Sequence, residues 1–347
     1  MFADLGITTL TAPQAAVWFG LALGVLFGVL GQRTRFCLRR GLAGSAEERG
    51  PALAVWLVAL AAAVVGTQVA IAAGLIDFGS HRYTSASLPV LAIVIGGLAF
   101  GAGMVLTRGC ASRLTVLTGQ GNLRALTVLA VFAVVAHATL KGVLAPVRTG
   151  LGSVTVALES GTLPGNPLIW SALIAVAVLA FALRSGARWT TLAGGALIGL
   201  LVPLAWVGTG FVLFDDFDPI AHESLSFTLP WAESLFFVVA STSISATFGV
   251  GLVGGVILGG AGAALAFREW KLESFETPAQ TIRYLLGGAL MGFGGVLAGG
   301  CTVGAGLSGV STLSVAAVLA LVSIVLGALA TRVALERPGA AVAIPAE

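Results

Sequence analysis

The chain's 347 residues are 57% hydrophobic and only 10% Asp, Glu, Lys or Arg, with a mean hydropathy of +1.02. Soluble domains carry about 25% charged residues, so a water-soluble fold is excluded, and the apolar runs lack the polar–apolar alternation of a β-barrel. The formal charge of +3 comes from sixteen arginines and two lysines against 15 acidic residues; the bases lie mostly between apolar runs, where they act as orientation signals rather than as a nucleic-acid face.

Crossing hydrocarbon about 30 Å thick takes about 20 helical residues, and apolar runs of that length recur from residue 14 to residue 330. The expected fold is therefore all-α and polytopic, a single transmembrane domain over residues 1–347. The opening FADLGITTLTAPQ has no basic segment and no small-residue cleavage site, so the first run is expected to stay as a helix. That run, 14–32, carries Gly20, Gly24, Gly28 and Gly31 as a stripe suited to close helix packing. RTRFCLRRG follows, with Cys37 between Arg35 and Arg39: either a basic membrane edge or a thiol in a positive field. The loop 33–49 has five arginines against two glutamates and is expected on the cytoplasmic side.

A second span covers 53–76, and DFGSHRYTSAS (77–87) reads as a short polar connection with Tyr83 at headgroup level. A glycine-rich span (88–107), an irregular stretch (108–122) and a span over 123–147 come next, the last containing His137 and Lys141. His137 is either satisfied by a neighbouring helix or lines a path. The loop 148–167 separates the halves, with room for a short surface helix, and two connecting helices occupy 168–213, turning at Arg184 and Arg188. The linker 214–230 holds Asp215, Asp216, Asp218 and Glu223 without Lys or Arg and is expected outside, with Trp231 as an interfacial anchor. Residues 231–267 suit one crossing interrupted by STSISAT (241–247), a break tolerated where protein buries it or a polar cavity faces it. The mixed-charge REWKLESFETP (268–278), a second glycine-rich span (281–300), a bend at CTVGAGLSGVST and a last span (313–330) complete the chain, with Arg332 and Arg337 just beyond.

The two glycine-rich spans are copies of each other. GGLAFGAGMVLTRGC (96–110) and GGALMGFGGVLAGGC (287–301) agree at eight of fifteen positions with an offset of 191, and Cys110 and Cys301 coincide. Nine crossings put the 33–49 loop, Arg184 and Arg188, the 268–283 loop and the C-terminus inside, and the N-terminus and 214–230 outside. The copies then enter from opposite sides. This is an inverted repeat, with pseudo-repeats at about 14–147 and 231–330, and such repeats place substrate sites at their interface. A helix that stops at Gly-Gly-Cys and resumes after it exposes backbone N–H groups suited to an anion. Glycine packing accounts for Gly287, Gly288, Gly292 and Gly295 but not for a cysteine followed by a polar, non-helical patch. Arg108 and Arg113 flank Cys110 where the second copy has Gly299 and Gly304; they either attract an anion or mark the membrane surface.

Three cysteines in separate segments make neither a disulfide framework nor a zinc site, and no Walker A, HExxH, CxxC or Ser-His-Asp spacing is present. A carrier or channel for a small solute fits better than an enzyme; a membrane thiol–disulfide enzyme and a structural subunit are the alternatives, and no cofactor or metal is expected. Glu159, Glu233 and Asp77 all fall near predicted edges, so passage without a coupled ion is the expectation.

GGALMGFGGVLAGGCTVGAGLSG (287–309), FREW (267–270), LTRGCASRLTVLTGQGNLRAL (106–126) and GVLFGVLGQRTRFCLRRG (24–41) resemble the YeeE/YedE family of membrane proteins, over nearly the whole chain. The resemblance implies a monomeric, hourglass-like bundle of about nine spanning helices with short re-entrant helices and loops, in the cytoplasmic (inner) membrane. It also implies uptake of thiosulfate, or of another sulfur or selenium species, along a central path. The implied path residues are Cys37, Cys110 and Cys301, with Gly109, Gly300, Arg108, Arg113, Thr302, Gly304 and Ser308 around them. A TusA-like sulfur carrier is an implied partner, expected as a separate soluble protein because little chain follows residue 337.

Overall fold

A computed structural model describes residues 10–79 and 81–336, leaving Arg337 outside the described residues. The helices in order are α1 (Ala12–Thr34), α2 (Leu38–Ala43), α3 (Ala46–Ala72), α4 (Val90–Leu106), α5 (Ala111–Gly119), α6 (Leu123–Lys141), α7 (Ala145–Gly152), α8 (Pro167–Arg184), α9 (Trp189–Val207), α10 (Thr228–Ala240), α11 (Phe248–Ala266), α12 (Pro278–Leu297) and α13 (Val315–Glu336). Among the described residues, eight spans are long and apolar enough to cross a membrane. The 20-residue α12 is not among them, its first turns carrying Gln280, Thr281 and Arg283, yet it packs inside the bundle between α4 and α6. The protein is thus an all-α bundle of eight to nine transmembrane helices.

Glycine sets how closely these helices approach. Gly20, Gly24 and Gly28 of α1 face Phe248, Leu252 and Val256 of α11, while Gly251, Gly255 and Gly259 return the contact onto Val17, Leu21 and Val25. Here the backbones touch. The predicted stripe is therefore a packing device, except for Gly31, which meets Val116 of α5 instead. The two glycine-rich copies become α4 and α12 and lie against each other antiparallel: Gly96 meets Gly294, and Gly103 meets Gly287. Under the offset of 191 each of these contacts maps onto the other. Outside this pair, Gly97 and Gly101 abut α13 at Ala320 and Ile324, as Gly288 and Gly292 abut α6 at Val128 and Phe132.

Several boundaries differ from the expected ones. The 33–49 loop folds a buried turn, α2, around Cys37. The span predicted over 123–147 ends at Lys141, because Gly142 takes an extended conformation (ψ −151°), and α7 follows. The 231–267 run is split at 241–247 into a 13-residue helix, α10, and the spanning α11; Ser245 and Thr247 of the break line a cavity of about 500 Å³ with His137, Lys141 and Glu233. His137 stacks on Phe236 there, 4.7 Å between ring centroids. Two side chains expected at the interface turn inward: Trp231 donates to Thr115 Oγ1 at 2.8 Å, and Tyr83 donates to the Gly304 carbonyl at 2.9 Å. A short antiparallel ladder, β1 (Ser87–Leu88) with β2 (Val156–Ala157), ties two loops on that side.

The core centres on Trp206, Phe27, Phe100, Phe132 and Phe227. The outer surface is apolar as well. In α8 only Ser171, Val178 and Ala182 are buried, while Leu173, Val176 and Leu183 stand exposed. A helix apolar on all sides and buried on so few is solvated by lipid rather than by water.

Candidate substrate path

Each copy ends in the same turn. After α4 the chain passes through Arg108 in the left-handed region (φ 58°), and after α12 through Gly299 (φ 74°), the equivalent position. The left-handed region costs a residue with a Cβ about 1–2 kcal/mol per residue, so the arginine copy is the strained one. Thr107 Oγ1 secures its turn by donating to the carbonyls of Gly103 and Gly109, both at 2.9 Å. In the other copy a Cβ on Gly300 would lie 2.6 Å from the Ala305 nitrogen, so only glycine lets the following turn fold back this tightly.

These turns deliver the cysteines to the interior. Cys110 precedes α5, and Cys37 precedes α2. Cys301 leads into a single π-helical turn, Gly304–Gly309, rather than the half-helix expected there, and its Sγ accepts from the Gly304 N–H at 3.3 Å. All three thiols are free and buried, at 6%, 1% and 0% exposure for Cys37, Cys110 and Cys301. The Cys37 and Cys110 side chains lie within hydrogen-bonding range of each other. Cys110 also sits 3.3 Å from Ser112 Oγ. On its other side is Thr302, whose hydroxyl faces Cys110 and has no well-formed hydrogen bond among the described residues. Cys37, Cys110 and Thr302 are therefore neighbours in the interior, and the buried Cys301 is the residue before Thr302 in the chain. Arg113 reaches into this cluster, donating to the Gly31 carbonyl at 3.3 Å and placing its charge beside Cys37 and Cys110.

Other predicted site residues have structural partners of their own. Arg108 lines a cavity of about 70 Å³ with Arg39, Arg283 and Arg332. Ser308 donates to the Leu225 carbonyl at 2.7 Å and lies 3.3 Å from Ser224 Oγ, fastening the 224–225 segment over the bundle. The Gly304 carbonyl is taken by Tyr83.

On the far side from that arginine cavity, a second cavity of about 220 Å³ is lined by His81, Arg82, Trp206, His222 and Glu223 among others. A smaller one, about 70 Å³, runs from Arg82 past Thr228 to Gly299 and Gly300. Burial, then the charge of Arg82, lowers His81 to about 4, and burial lowers His222 as well. Burial, reinforced by Glu233, raises Glu223 to about 7. Sequence reasoning left His81, Arg82 and His222 out of the site and placed Glu223 only in an exterior linker. The available signal was two of the chain's three histidines standing in short polar connections, beside Arg82 and Glu223.

Comparison with known proteins bears on what such a path carries. A sequence profile of the family described as "Sulphur transport" matches residues 33–330. The chain belongs to this YeeE/YedE-like sulphur-transport family. Among its relatives is the thiosulfate transporter TsuA of Escherichia coli, 29% identical over 339 residues that cover 89% of this chain and 91% of that protein. The thiosulfate transporter TsuA of Spirochaeta thermophila is likewise 29% identical, over 330 residues covering 90% and 96%. Membership of the sulphur-transport family makes the bundle a multi-pass membrane transporter of sulfur-containing anions, rather than an enzyme.

Proposed function

We propose that the protein takes up thiosulfate across the cytoplasmic membrane along a central path lined by Cys37, Cys110 and Cys301. The observation carrying this reading is the buried cluster of Cys37, Cys110, Thr302 and Cys301, with an arginine-bearing cavity on either side of it. An anion leaving water needs replacement contacts that do not trap it. Thiols and a hydroxyl are weak, neutral donors, so a succession of them permits release as well as capture. Arg113, and the backbone N–H groups that open α5, add positive potential at the middle.

The reciprocal glycine contacts of α4 and α12 support an inverted repeat, with Cys110 and Cys301 reaching the interior from opposite faces. In this orientation the Arg39–Arg332 cavity opens to the cytoplasm and the His81–Glu223 cavity to the exterior. The family resemblance alone supports a monomer working with a TusA-like sulfur carrier. Growth of a host lacking sulfate uptake, on limiting thiosulfate with and without this gene, tests the function. Rescue is expected; no rescue with the protein present in the membrane overturns it. Since the family description covers sulphur transport generally, a panel of sulfur and selenium oxyanions in the same host separates thiosulfate from its alternatives.

A further inference from the structure

The cavity beside Arg82 takes no part in the thiol cluster. We infer that it is an outer anion-binding site in which Arg82 supplies the fixed charge and Glu223 is an acidic competitor, so that small oxyanions are captured more tightly as the pH falls. The inference rests on the transport reading and deepens it by naming where the anion is held before it reaches Gly300 and Cys301.

Arg82 stands in a single 3-10 turn, Arg82–Thr84. Its guanidinium lies 4.9 Å from the Tyr83 ring centroid, and among the described residues its hydrogen bond goes to Tyr83 Oη at 3.2 Å. Because Tyr83 in turn donates to Gly304, the cation is tied to the turn that follows Cys301. Among the described residues no carboxylate is paired with Arg82. A guanidinium has five N–H donors, so most of them are left for whatever occupies the space. Among the described residues Trp206 Nε1 on the larger cavity and Thr228 Oγ1 on the smaller one leading to Gly300 are donors without acceptors, and His222 Nε2 on the larger cavity is unpaired as well. An unpaired buried donor costs about 1–3 kcal/mol. An oxyanion, with several acceptor oxygens and a negative charge, satisfies all three kinds of donor. At about 30 Å³ per water, the 220 Å³ cavity holds about seven waters, enough for one small oxyanion with part of its hydration.

Glu223 is held in place through its backbone: its N–H donates to Thr209 Oγ1 at 3.1 Å, and Thr209 donates to its carbonyl at 2.7 Å. Arg82 faces it across the cavity and Glu233 faces it from α10, while His222 is its chain neighbour. The other elements around it, α1 through Pro13 and Ala16, α9 through Trp206, and the 245–248 segment, present no charge. The sign follows. Burial holds the Glu223 pKa at about 7, so the carboxyl is neutral below that pH and Arg82 alone confronts the anion. Above it the carboxylate offsets Arg82 and repels the ligand. His81 and His222 are held low and stay neutral across this range, so they add no opposing switch.

The test is equilibrium binding of labelled thiosulfate, and separately labelled sulfate, to the purified full chain in detergent at pH 6 and pH 8. Binding to the wild type is expected to weaken about fivefold between them, the effect of a one-unit rise of the Glu223 pKa when the anion binds. Glu223→Gln, an isosteric neutral side chain, should bind at both pH values as the wild type does at pH 6. Arg82→Gln should lose binding at least about tenfold at either pH, and Arg82→Lys should recover part of it. A Glu223→Gln protein that keeps the pH response, or an Arg82→Gln protein that binds like the wild type, overturns the site. Binding needs no transport, so the two readings fail separately. Arg82-dependent binding in a protein that never rescues growth sinks the uptake reading alone, and normal uptake without Arg82-dependent binding sinks the outer site alone.

Discussion

Cys301 has no exposed surface, and its sulfur accepts the Gly304 N–H, which leaves its own S–H for a passing ligand. The thiol reading is decided at this residue. Cys301→Ala removes the donor and should abolish most thiosulfate uptake, whereas Cys301→Ser keeps a donor with shorter reach and should retain partial activity. Both replacements are small enough for the site to remain folded. Labelled uptake at matched membrane levels, with Cys37→Ala and Cys110→Ala alongside, gives the measurement. Wild-type rates for Cys301→Ala would make Cys301 a packing residue and end the relay mechanism.

At the scale of elements, the α1–α11 crossing is the closest approach that the sequence announced. A Cβ on Gly255 would strike the Leu21 carbonyl and come within 2.9 Å of Gly24 Cα, while one on Gly262 of the same helix meets nothing within 4 Å. Gly255→Ala should therefore destabilise by about 1–3 kcal/mol through overpacking. Gly262→Ala should be neutral or stabilise by up to about 1 kcal/mol, from helix propensity alone. Thermal unfolding of the two variants in one detergent compares them directly. Equal midpoints would show that the crossing relaxes freely and that glycine there does not set the helix separation.

For the whole molecule, one end gathers the positive loops. Gln32 Nε2 donates to Glu269 at 2.7 Å, Arg124 pairs with Glu273 at 2.6 Å, and Arg332 donates to the Leu42 carbonyl at 2.8 Å. The acidic 214–227 segment and the 77–88 loop lie at the opposite end, where Phe78 stacks on His222 at 5.0 Å. Reporters fused after Arg49 and after Glu336 should score cytoplasmic, and one inserted within 214–220 should score exterior. A cytoplasmic signal from 214–220 would reverse the membrane orientation assigned to both cavities.

What the sequence determined by itself follows from composition and local rules. Runs of about 20 apolar residues can satisfy their backbone in lipid only as helices, so the spans were legible, as was the interruption at 241–247. The matched glycines and cysteines of 96–110 and 287–301 likewise announced two equivalent helices ending in equivalent turns, now α4 and α12. Tertiary structure alone decided what meets at those turns. Nothing local tells that Thr302 faces Cys110, or that Arg108 joins Arg283 and Arg332 around one cavity, because those contacts join segments more than 150 residues apart. The outer cavity was hidden for a related reason. His81, Arg82, Tyr83, His222 and Glu223 sit in connections without periodicity, and only the folding of those connections back over the bundle withdraws them from water and turns ordinary polar residues into a buried, charge-sensitive pocket.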